Sequence, residues 1–376
     1  MTVIVRMRHE KNFELISGIF FEKNWSWLRI FDNLGKLVKH INMKISFDKH
    51  FIENNNGNFQ IKLKEKVEIP KNLYKYYSLN KFSLESVKNK TFHFSHSFTM
   101  NDLMDGNFLL WDMEDFLNKF IEDKKLPKEI KKELHKNFLI KFSDEFLKYI
   151  GIFCASENYS NDLLWSHYTN EQGFCIEINV QNFIDSLKNF TFHYFPIHYG
   201  ELKQINIFKY GNLKKENFTK TMDLLLPIYY SLSMKEIFWN YENEWRFIIK
   251  NENFDKITNP LVLITQEQKN FEINALEKRN IKITDSVIEK VILSTVFFNN
   301  KRFSYNEFDK MKVKYYFENN NEKNVLQEFL TILKKEYSDK IFQIDKFLIN
   351  GKVIREIQFK LEILEINDTY VEVQRL

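Results

Sequence analysis

Residues 242–249 of this chain alternate charged and apolar side chains, and this alternation restricts what the segment can form. A strand places successive side chains on opposite faces, so a period of two predicts a β-strand starting near Glu242. One face then carries Trp245, Phe247 and Ile249, and the other carries Glu242, Glu244, Arg246 and Ile248. Burying charged groups is costly unless they are paired. We therefore expect Glu244 and Arg246 to pair with each other or to face a ligand.

A second concentration of polar aromatic residues lies in the segment 161–168, Asn-Asp-Leu-Leu-Trp-Ser-His-Tyr. Its first residues are typical of a helix N-cap, which predicts a short helix, then a turn and a strand over 173–178. Trp165, His167 and Tyr168 are as compatible with structural hydrogen bonds as with the lining of a cleft. Both interpretations stay open from the sequence.

Two shorter motifs precede these segments. Leu-Tyr-Lys-Tyr at 73–76 predicts a strand on which the two tyrosines share one face and Lys75 points to the other. Lys75 or Tyr76 is a candidate for contacting an anionic or ribose-bearing ligand, and tyrosine packing beside a solvated lysine is the alternative. Asn101 and Asp102 lie in a turn-like segment, where such side chains commonly cap backbone groups. A direct ligand role is the second possibility for this pair.

Composition excludes several classes of protein. The 55 basic and 51 acidic residues leave a net charge of only +4, which gives no strong case for a dedicated nucleic-acid binder. Cys154 and Cys175 lack metal-ligand spacing and are expected to be reduced thiols. The start of the chain does not resemble a signal peptide, and its most apolar run, 224–232, is shorter than the ~20 residues of a membrane span. We expect a soluble, cytoplasmic protein without membrane contact.

Strand and helix patterns intersperse along the chain without regular βαβ alternation or a glycine-rich phosphate loop. This arrangement predicts an α+β fold with a mixed or antiparallel sheet core and flanking helices. The predicted strands are 2–7, 13–21, 25–31, 59–69, 150–154, 173–178, 190–194, 244–250, 261–264, 287–293, 340–348 and 352–364, and the predicted helices are 113–150, 217–233 and 322–337. The expected units are a β-rich accessory module (1–69), an α+β core carrying the site (70–300) and a C-terminal α/β extension packed on the core (301–376).

In these motifs the chain resembles a large uncharacterised bacterial family, domain of unknown function twenty-nine seventy-one. Its recurring elements are L-Y-K-Y, N-D, W-S/A-H-Y followed by G-x-C-I-x-I, and a terminal E-x-E-W-R. They correspond in order to residues 73–76, 101–102, 165–168, 173–178 and 242–246. The Pro and Phe that usually follow the N-D pair are Leu103 and Met104 here, a departure that concerns only the turn. The resemblance covers about residues 70–295 and implies no settled activity.

The order of these elements is also similar to the layout of ADP-ribosyltransferases, in which an early strand supplies His or Arg, a middle segment Tyr or Ser, and a late strand Glu. Those three positions correspond to Lys75 or Tyr76, to His167 or Tyr168, and to Glu244. The first position departs from the usual His or Arg, so the similarity is at the level of the fold. It implies that a carboxylate faces an oxocarbenium-like state at the ribose of NAD, and that Arg246 could meet a phosphate.

Three functions are compatible with these motifs. The leading hypothesis is a cytoplasmic bacterial effector, of phage-defence or toxin type, that binds NAD or a related nucleotide. It would cleave NAD, or transfer ADP-ribose to a macromolecular acceptor, without a metal. The proposed catalytic residues are Glu244, His167 and Tyr168, and the proposed ligand-binding residues are Lys75, Tyr76, Trp165, Glu242, Arg246, Asn101 and Asp102.

The two alternatives belong to other classes, and the sequence leaves open whether the protein is an enzyme. One is a Mg²⁺-dependent nuclease, because hard cations prefer carboxylate oxygens; its site would use Asp102, Asp105, Glu242, Glu244 and His167. The other is a non-catalytic sensor that binds a small ligand and a partner protein.

The expectation about Glu244 is the most specific. We expect its carboxylate to open into a pocket shared with residues 73–76 and with Trp165, His167 or Tyr168. If so, Glu244→Gln should abolish activity with little loss of stability.

Overall fold

The computed structural model describes residues 43–55, 58–102, 104–107, 110–112, 147–206, 225–254, 278–304, 312–318 and 322–376. The strands are β1 (Met43–Ser46), β2 (His50–Asn55), β3 (Asn58–Leu63), β4 (Asn72–Tyr77), β5 (Thr91–His93), β6 (Trp111–Asp112), β7 (Ile150–Ser156), β8 (Phe174–Asn179), β9 (Thr191–Pro196), β10 (His198–Gly200), β11 (Ile205–Asn206), β12 (Met234–Glu236), β13 (Glu244–Lys250), β14 (Asn280–Lys282), β15 (Ile288–Leu293), β16 (Phe303–Ser304), β17 (Lys312–Phe317), β18 (Ile341–Ile349), β19 (Lys352–Ile366) and β20 (Tyr370–Arg375). The α-helices are α1 (Lys81–Asn89), α2 (Asp162–Thr169), α3 (Val180–Ser186), α4 (Leu225–Ser233) and α5 (Lys323–Glu336), and the 3-10 helices are Ser97–Thr99, Ile237–Glu242 and Asp285–Val287.

Eleven strands form the central sheet, in the order β16-β17-β20-β19-β18-β15-β8-β4-β7-β13-β9. Neighbours pair antiparallel except β15 and β18, which are parallel. A parallel pair needs a crossover connection, and the chain between these two strands contains α5. The predicted α+β class with a mixed sheet is confirmed.

β13 lies between β7 and β9 and is buried on both faces. Trp245, Phe247 and Ile249 enter the largest apolar cluster, as the alternation predicts. Ile248 enters a second cluster on the other face, which also contains residues of α4. The strand begins at Glu244, as predicted for 244–250 and two residues after the start near Glu242 that the alternation alone suggests. Asn243 adopts a left-handed conformation with φ 42°. This conformation separates Glu242, the last residue of a 3-10 helix, from the extended strand that begins at Glu244.

Helix α2 packs on the central sheet through a third apolar cluster that contains Leu164 and Trp165. Tyr76 belongs to this cluster and Tyr74 packs against it. Lys75 lies on the opposite face, with its Nζ 5.3 Å from the centroid of the Phe153 ring. The predicted division of the 73–76 strand between two faces is therefore confirmed. This strand is the one that brings the first motif beside the second.

Three N-terminal strands, β1 to β3, form a separate antiparallel sheet that packs on the second cluster through Phe47 and Ile52. β3 ends at Leu63, earlier than the strand predicted to reach residue 69. Further along, the central sheet continues after residue 300 through β16 to β20. Helix α5 and strands β18 and β19 lie within two residues of the bounds predicted for them.

The other predicted elements divide into those that are observed and those that fall outside the described residues. Strands β7, β8, β9, β13 and β15 confirm the predictions for 150–154, 173–178, 190–194, 244–250 and 287–293. The strands predicted at 2–7, 13–21, 25–31 and 261–264, the helical residues 113–146 and 217–224, and Leu103 lie outside the described ranges. None of the helices within these ranges is long and apolar enough to cross a membrane.

Candidate functional site

A cavity of about 150 Å³ lies where β4, β7, the start of β13 and helix α2 meet. Residues from both sequence motifs line it, together with the turn that follows the 3-10 helix at 97–99. The lining residues are Tyr74, Lys75, Tyr76, Ser95, Thr99, Met100, Asn101, Asp105, Ile152, Cys154, Ala155, Ser156, Leu164, Tyr168, Lys235, Glu242 and Glu244. The structure thus brings together six of the predicted site residues: Lys75, Tyr76, Asn101, Tyr168, Glu242 and Glu244.

Arg246 lies behind this cavity and is fully buried. Its Nε donates to Glu244 Oε1 at 2.7 Å, its Nη2 donates to Asp105 Oδ1 at 2.5 Å, and its Nη1 donates to the Leu232 carbonyl at 2.8 Å. The predicted Glu244–Arg246 pair is confirmed. Arg246 is not among the residues that line the cavity, however, and its side chain is committed to these bonds. The expectation that it meets a ligand phosphate is therefore wrong.

Lys235, on β12, joins the carboxylates on the side of the cavity. Its Nζ lies 2.7 Å from Glu242 Oε2, 2.8 Å from Glu244 Oε2 and 3.6 Å from Asp105 Oδ2. The ring of Trp239 covers it, with the ammonium 5.2 Å from the ring centroid. Lys235 is not among the site residues predicted from the sequence. A lone lysine after an apolar helix is a weak signal, because no acidic residue stands near it at helical spacing.

These five side chains form what we call the ion network: Asp105, Lys235, Glu242, Glu244 and Arg246. Each of these residues is at most 4% exposed. Three carboxylates and two cations leave a formal surplus of one negative charge (−3 + 2 = −1). In addition, one buried carboxylate oxygen, Asp105 Oδ2, accepts no hydrogen bond. The ion network therefore places a formal negative charge beside the cavity, although burial raises the pKa of Asp105.

The pKa values of the two glutamates diverge. Burial opposes the charged form of Glu244, but Arg246 and Lys235 outweigh it and hold the pKa of this carboxyl well below its usual range. For Glu242, burial and the neighbouring Glu244 carboxylate outweigh Lys235 and raise the pKa. Two carboxyl groups whose environments separate their pKa values are suited to different roles. Glu244 is suited to remain an anion, and Glu242 to exchange a proton.

Tyr168 extends the site from helix α2. Its hydroxyl donates to Glu242 Oε1 at 2.7 Å, so Glu242 is held by Tyr168 on one oxygen and by Lys235 on the other. The helix begins at the predicted N-cap: the Asn161 side-chain oxygen accepts from two backbone N–H groups, while its Nδ2 donates to the Tyr241 carbonyl at 2.7 Å. The cap thus ties α2 to the 3-10 helix that ends at Glu242.

The other predicted residues of the 165–168 motif lie outside the cavity. Trp165 is fully buried, donates from Nε1 to the Tyr159 carbonyl at 2.7 Å, and packs edge-on against Tyr76. His167 is exposed on the surface, with its ring 6.4 Å from that of Tyr241. The prediction left open which of Trp165, His167 and Tyr168 shares the pocket of Glu244. Tyr168 lines it and the other two do not, since the helix turns only Tyr168 and Leu164 toward the cavity.

The Asn101–Asp102 pair divides in the same way. Asn101 is exposed and lines the mouth of the cavity. Asp102 is buried and accepts from the backbone N–H of Met104 at 2.9 Å, which is the capping role that turn residues commonly take. Asp102 does not line the cavity, so the cavity gives it no direct contact with a ligand.

Two further residues contact Glu244 without having been predicted. Cys154 lines the cavity together with Glu244, and the two side chains interact electrostatically. Burial and this carboxylate raise the pKa of the thiol, so Cys154 is unsuited to act as a thiolate nucleophile. On β10, the Tyr199 hydroxyl accepts from the Glu244 backbone N–H at 2.8 Å. The bond to Tyr199 fixes the backbone of Glu244 at the start of β13.

No curated protein and no solved structure showed significant similarity to the chain. Residues 164–247 match the model of a family described as protein of unknown function (DUF2971). The match runs from α2 to β13, so it includes Tyr168, Lys235 and both glutamates of the ion network, and it leaves out Lys75 and Asp105. Over residues 164–247 the chain is thus similar to the DUF2971 family that its motifs resemble.

Proposed function

We propose that the cavity binds the ribosyl end of NAD or a related nucleotide and that the protein breaks the nicotinamide–ribose bond. In the simplest form of the reaction, water attacks C1′ of the ribose as the bond to the nicotinamide nitrogen breaks. Nicotinamide leaves as a neutral molecule, ADP-ribose gains the hydroxyl, and the proton from water passes to a base. A hydroxyl or amine of a macromolecule in place of water gives ADP-ribose transfer.

The surplus negative charge of the ion network is the observation that carries this proposal. Breaking the bond creates positive charge on the ribose ring, and fixed charges aimed at developing charge stabilise a transition state. Glu244 lines the cavity, and its low pKa keeps it anionic. Asp105 Oδ2 offers an acceptor for a ribose hydroxyl, because it is buried beside the cavity without a hydrogen-bond donor.

Glu242 is the base in this proposal. Its pKa is raised, and its side chain reaches the cavity between the Tyr168 hydroxyl and the Lys235 ammonium. Accepting a proton would reduce the net charge of the ion network from −1 to zero, which favours the transfer in a buried setting. Catalytic carboxylates with raised pKa values act as bases or acids in this way. His167, on the exposed surface, has no part in this scheme.

The size of the cavity limits what it can hold. Pockets for drug-sized ligands measure about 300–1,000 Å³, and this cavity measures about 150 Å³. It is therefore suited to one end of a dinucleotide, while the remainder extends outside. The negative ion network also favours this orientation, because it would repel the phosphates and attract the cationic nicotinamide ribose. Tyr74 and Tyr76 supply aromatic walls.

The geometry gives less support to a metal-dependent nuclease. The Lys235 ammonium lies among the three carboxylates that such a site would use, at the position a cation would take. Asp102 and His167, the other proposed members, lie outside the cavity. Among the residues that the structure describes, no group of three or more His, Cys, Asp or Glu side chains could hold a metal ion.

The test is incubation of the purified chain with NAD labelled in the nicotinamide or in the adenine ring, with and without cell lysate. We expect free nicotinamide, or adenine label on macromolecules, and a loss of about 10²–10³ in rate for Glu242→Gln. Glu201→Gln is the matched control, since this carboxylate is 80% exposed and pairs only with Lys203 among the contacts described. Absence of NAD turnover would count against the proposal. If NAD stabilises the protein but is not changed, the protein is a sensor. If nucleic acid is degraded in a Mg²⁺-dependent reaction, the protein is a nuclease.

A further inference from the structure

Arg355, in the C-terminal strand β19, is buried against helix α2 although some 190 residues of chain separate them. Its side chain is 1% exposed. Its Nε donates to the Asp162 carboxylate, and its Nη2 donates to Glu171 Oε1 at 2.5 Å. The guanidinium carbon lies 6.0 Å from the centroid of the Trp165 ring. One cation therefore contacts the first residue of a short helix, a residue in its middle and a residue just beyond its C-cap.

The two carboxylates that Arg355 binds flank the helix in sequence. Asp162 is the first helical residue, and Glu171 follows the C-cap Asn170. Asn170 and Glu171 have φ values of 51° and 58°, the left-handed region that residues other than glycine rarely adopt. A conformation of this kind persists only when its surroundings hold it. The bond from Arg355 to Glu171 is one such restraint, and Ser294 Oγ, which donates to the Glu171 carbonyl at 2.7 Å, is another.

The same helix presents Tyr168 to the candidate site. Tyr168 lies one turn after Leu164, both line the cavity, and the Tyr168 hydroxyl fixes Glu242. Rotation or fraying of the last helical turn would move this hydroxyl, and misplacement by about 1 Å can cost ~10²-fold in rate. The raised pKa of Arg355 agrees with a tight clamp: burial opposes its charge, but the bonds to Glu171 and Asp162 outweigh burial.

From these contacts we infer that Arg355 is a positioning residue of the site, acting through helix α2 on Tyr168 and Glu242. The inference rests on the proposed function for its catalytic consequence. It assigns a role to the C-terminal strands, which lie outside the segment that matches the family. Asp162 and Glu171 are 47% and 32% exposed, so water can solvate them when Arg355 is replaced. The fold should therefore tolerate the replacement.

The test compares Arg355→Met and Arg355→Lys with Arg375→Met as the matched control. Arg375 stands on strand β20 of the same sheet and packs on Phe359, and none of the contacts described for it involves α2. Amide hydrogen exchange should accelerate about tenfold or more in residues 162–171 of Arg355→Met, less in Arg355→Lys and not in the control. Unchanged exchange in this segment would overturn the inference, and this readout does not depend on any activity.

A double-mutant cycle that combines Arg355→Met with Tyr168→Phe tests whether Arg355 affects catalysis through Tyr168. If Arg355 acts through Tyr168, then Arg355→Met lowers kcat about tenfold or more, with little change in KM, only while Tyr168 is present. The same loss in the Tyr168→Phe background would overturn the positioning role. If the unmodified chain does not turn over NAD, the proposed function fails, and hydrogen exchange alone then decides whether Arg355 positions the helix.

Discussion

Two substitutions of the same kind, Glu242→Gln and Glu244→Gln, should both abolish activity but should differ in their effect on stability. Both glutamates are buried in the ion network, and both contact Lys235. They differ in their second partner. Glu244 is held between two cations, with Arg246 Nε on one oxygen and Lys235 on the other. Glu242 has Lys235 on one oxygen and the Tyr168 hydroxyl on the other.

A glutamine has one acceptor oxygen and one donor NH₂ group. At position 242 the oxygen can face Lys235 while the NH₂ donates to the Tyr168 hydroxyl, because a tyrosine hydroxyl can accept as well as donate. The expected loss in the free energy of unfolding is below ~1 kcal/mol. At position 244 the NH₂ must face a cation in either orientation. Breaking a buried ion pair costs about 3–5 kcal/mol. We expect about 3 kcal/mol, because neutralising the surplus charge offsets part of this loss.

The assay is urea unfolding of both variants and of Glu201→Gln at pH 7, alongside NAD turnover. We expect Glu242→Gln to keep its unfolding midpoint and lose activity, and Glu244→Gln to lose stability as well. This differs from the expectation drawn from the sequence, in which Glu244→Gln leaves stability nearly unchanged. If Glu242→Gln proves the more destabilising of the two, or if both leave the midpoint unchanged, the assignment of their partners is wrong.

Three further predictions concern buried groups. Lys235→Met leaves a net charge of −2 in the ion network and should lower the free energy of unfolding by about 3–5 kcal/mol at pH 7. Urea unfolding should show a smaller loss at pH 5.5, because carboxylates with raised pKa values take up protons there. An equal loss at the two pH values would contradict the charge count. His50 is fully buried with both ring nitrogens unpartnered, and burial lowers its pKa to about 3. Its neutral form stabilises the fold above pH ~6.5, and this stability is lost at up to ~1.4 kcal/mol per unit as the pH falls toward 3. His50→Phe should therefore flatten stability between pH 7 and pH 5, and a profile that follows the unmodified protein would refute this. Gly173→Ala would place a Cβ 2.0 Å from the Tyr77 carbonyl oxygen and should lower the free energy of unfolding by about 1–3 kcal/mol; Gly200→Ala, which meets only the His198 side chain, is the control.

The sequence predicts the site best where the residues concerned lie on one strand or one helix, so that their spacing alone determines which of them share a face. The alternation around Trp245 locates β13 and places Glu244 beside Arg246, because residues two apart share a face of a strand. The choice between His167 and Tyr168 was also open to such an argument. Leu164 and Tyr168 are four residues apart on one helix, so an apolar face that includes Leu164 carries Tyr168 with it and turns His167 away.

The sequence does not predict the partners that come from elsewhere in the chain. Asp105 reaches Arg246 across 141 positions, and Arg355 reaches Asp162 across 193. Periodicity and capping patterns involve residues only a few positions apart, so they cannot predict contacts between residues this far apart in the sequence. Such contacts form only when the sheet brings distant strands together. Lys235 is the clearest case, because no acidic residue stands three or four positions from it in the sequence. Its three carboxylate partners come from the turn at Asp105, the 3-10 helix that ends at Glu242 and strand β13.

The conformation of Asn243 explains how the carboxylates of Glu242 and Glu244, on two consecutive elements, both contact the Lys235 ammonium group. In a continuous strand, side chains two apart point the same way but stay about 6–7 Å apart along the chain. The left-handed φ of 42° at Asn243 ends the 3-10 helix at Glu242 and starts β13 at Glu244, and both carboxylates then reach Lys235 within 2.8 Å. Asparagine accepts this conformation more readily than most residues. The spacing of the E-x-E motif thus acquires a physical meaning: its middle residue makes the turn that sets the two glutamates in different environments, and the different environments separate their pKa values.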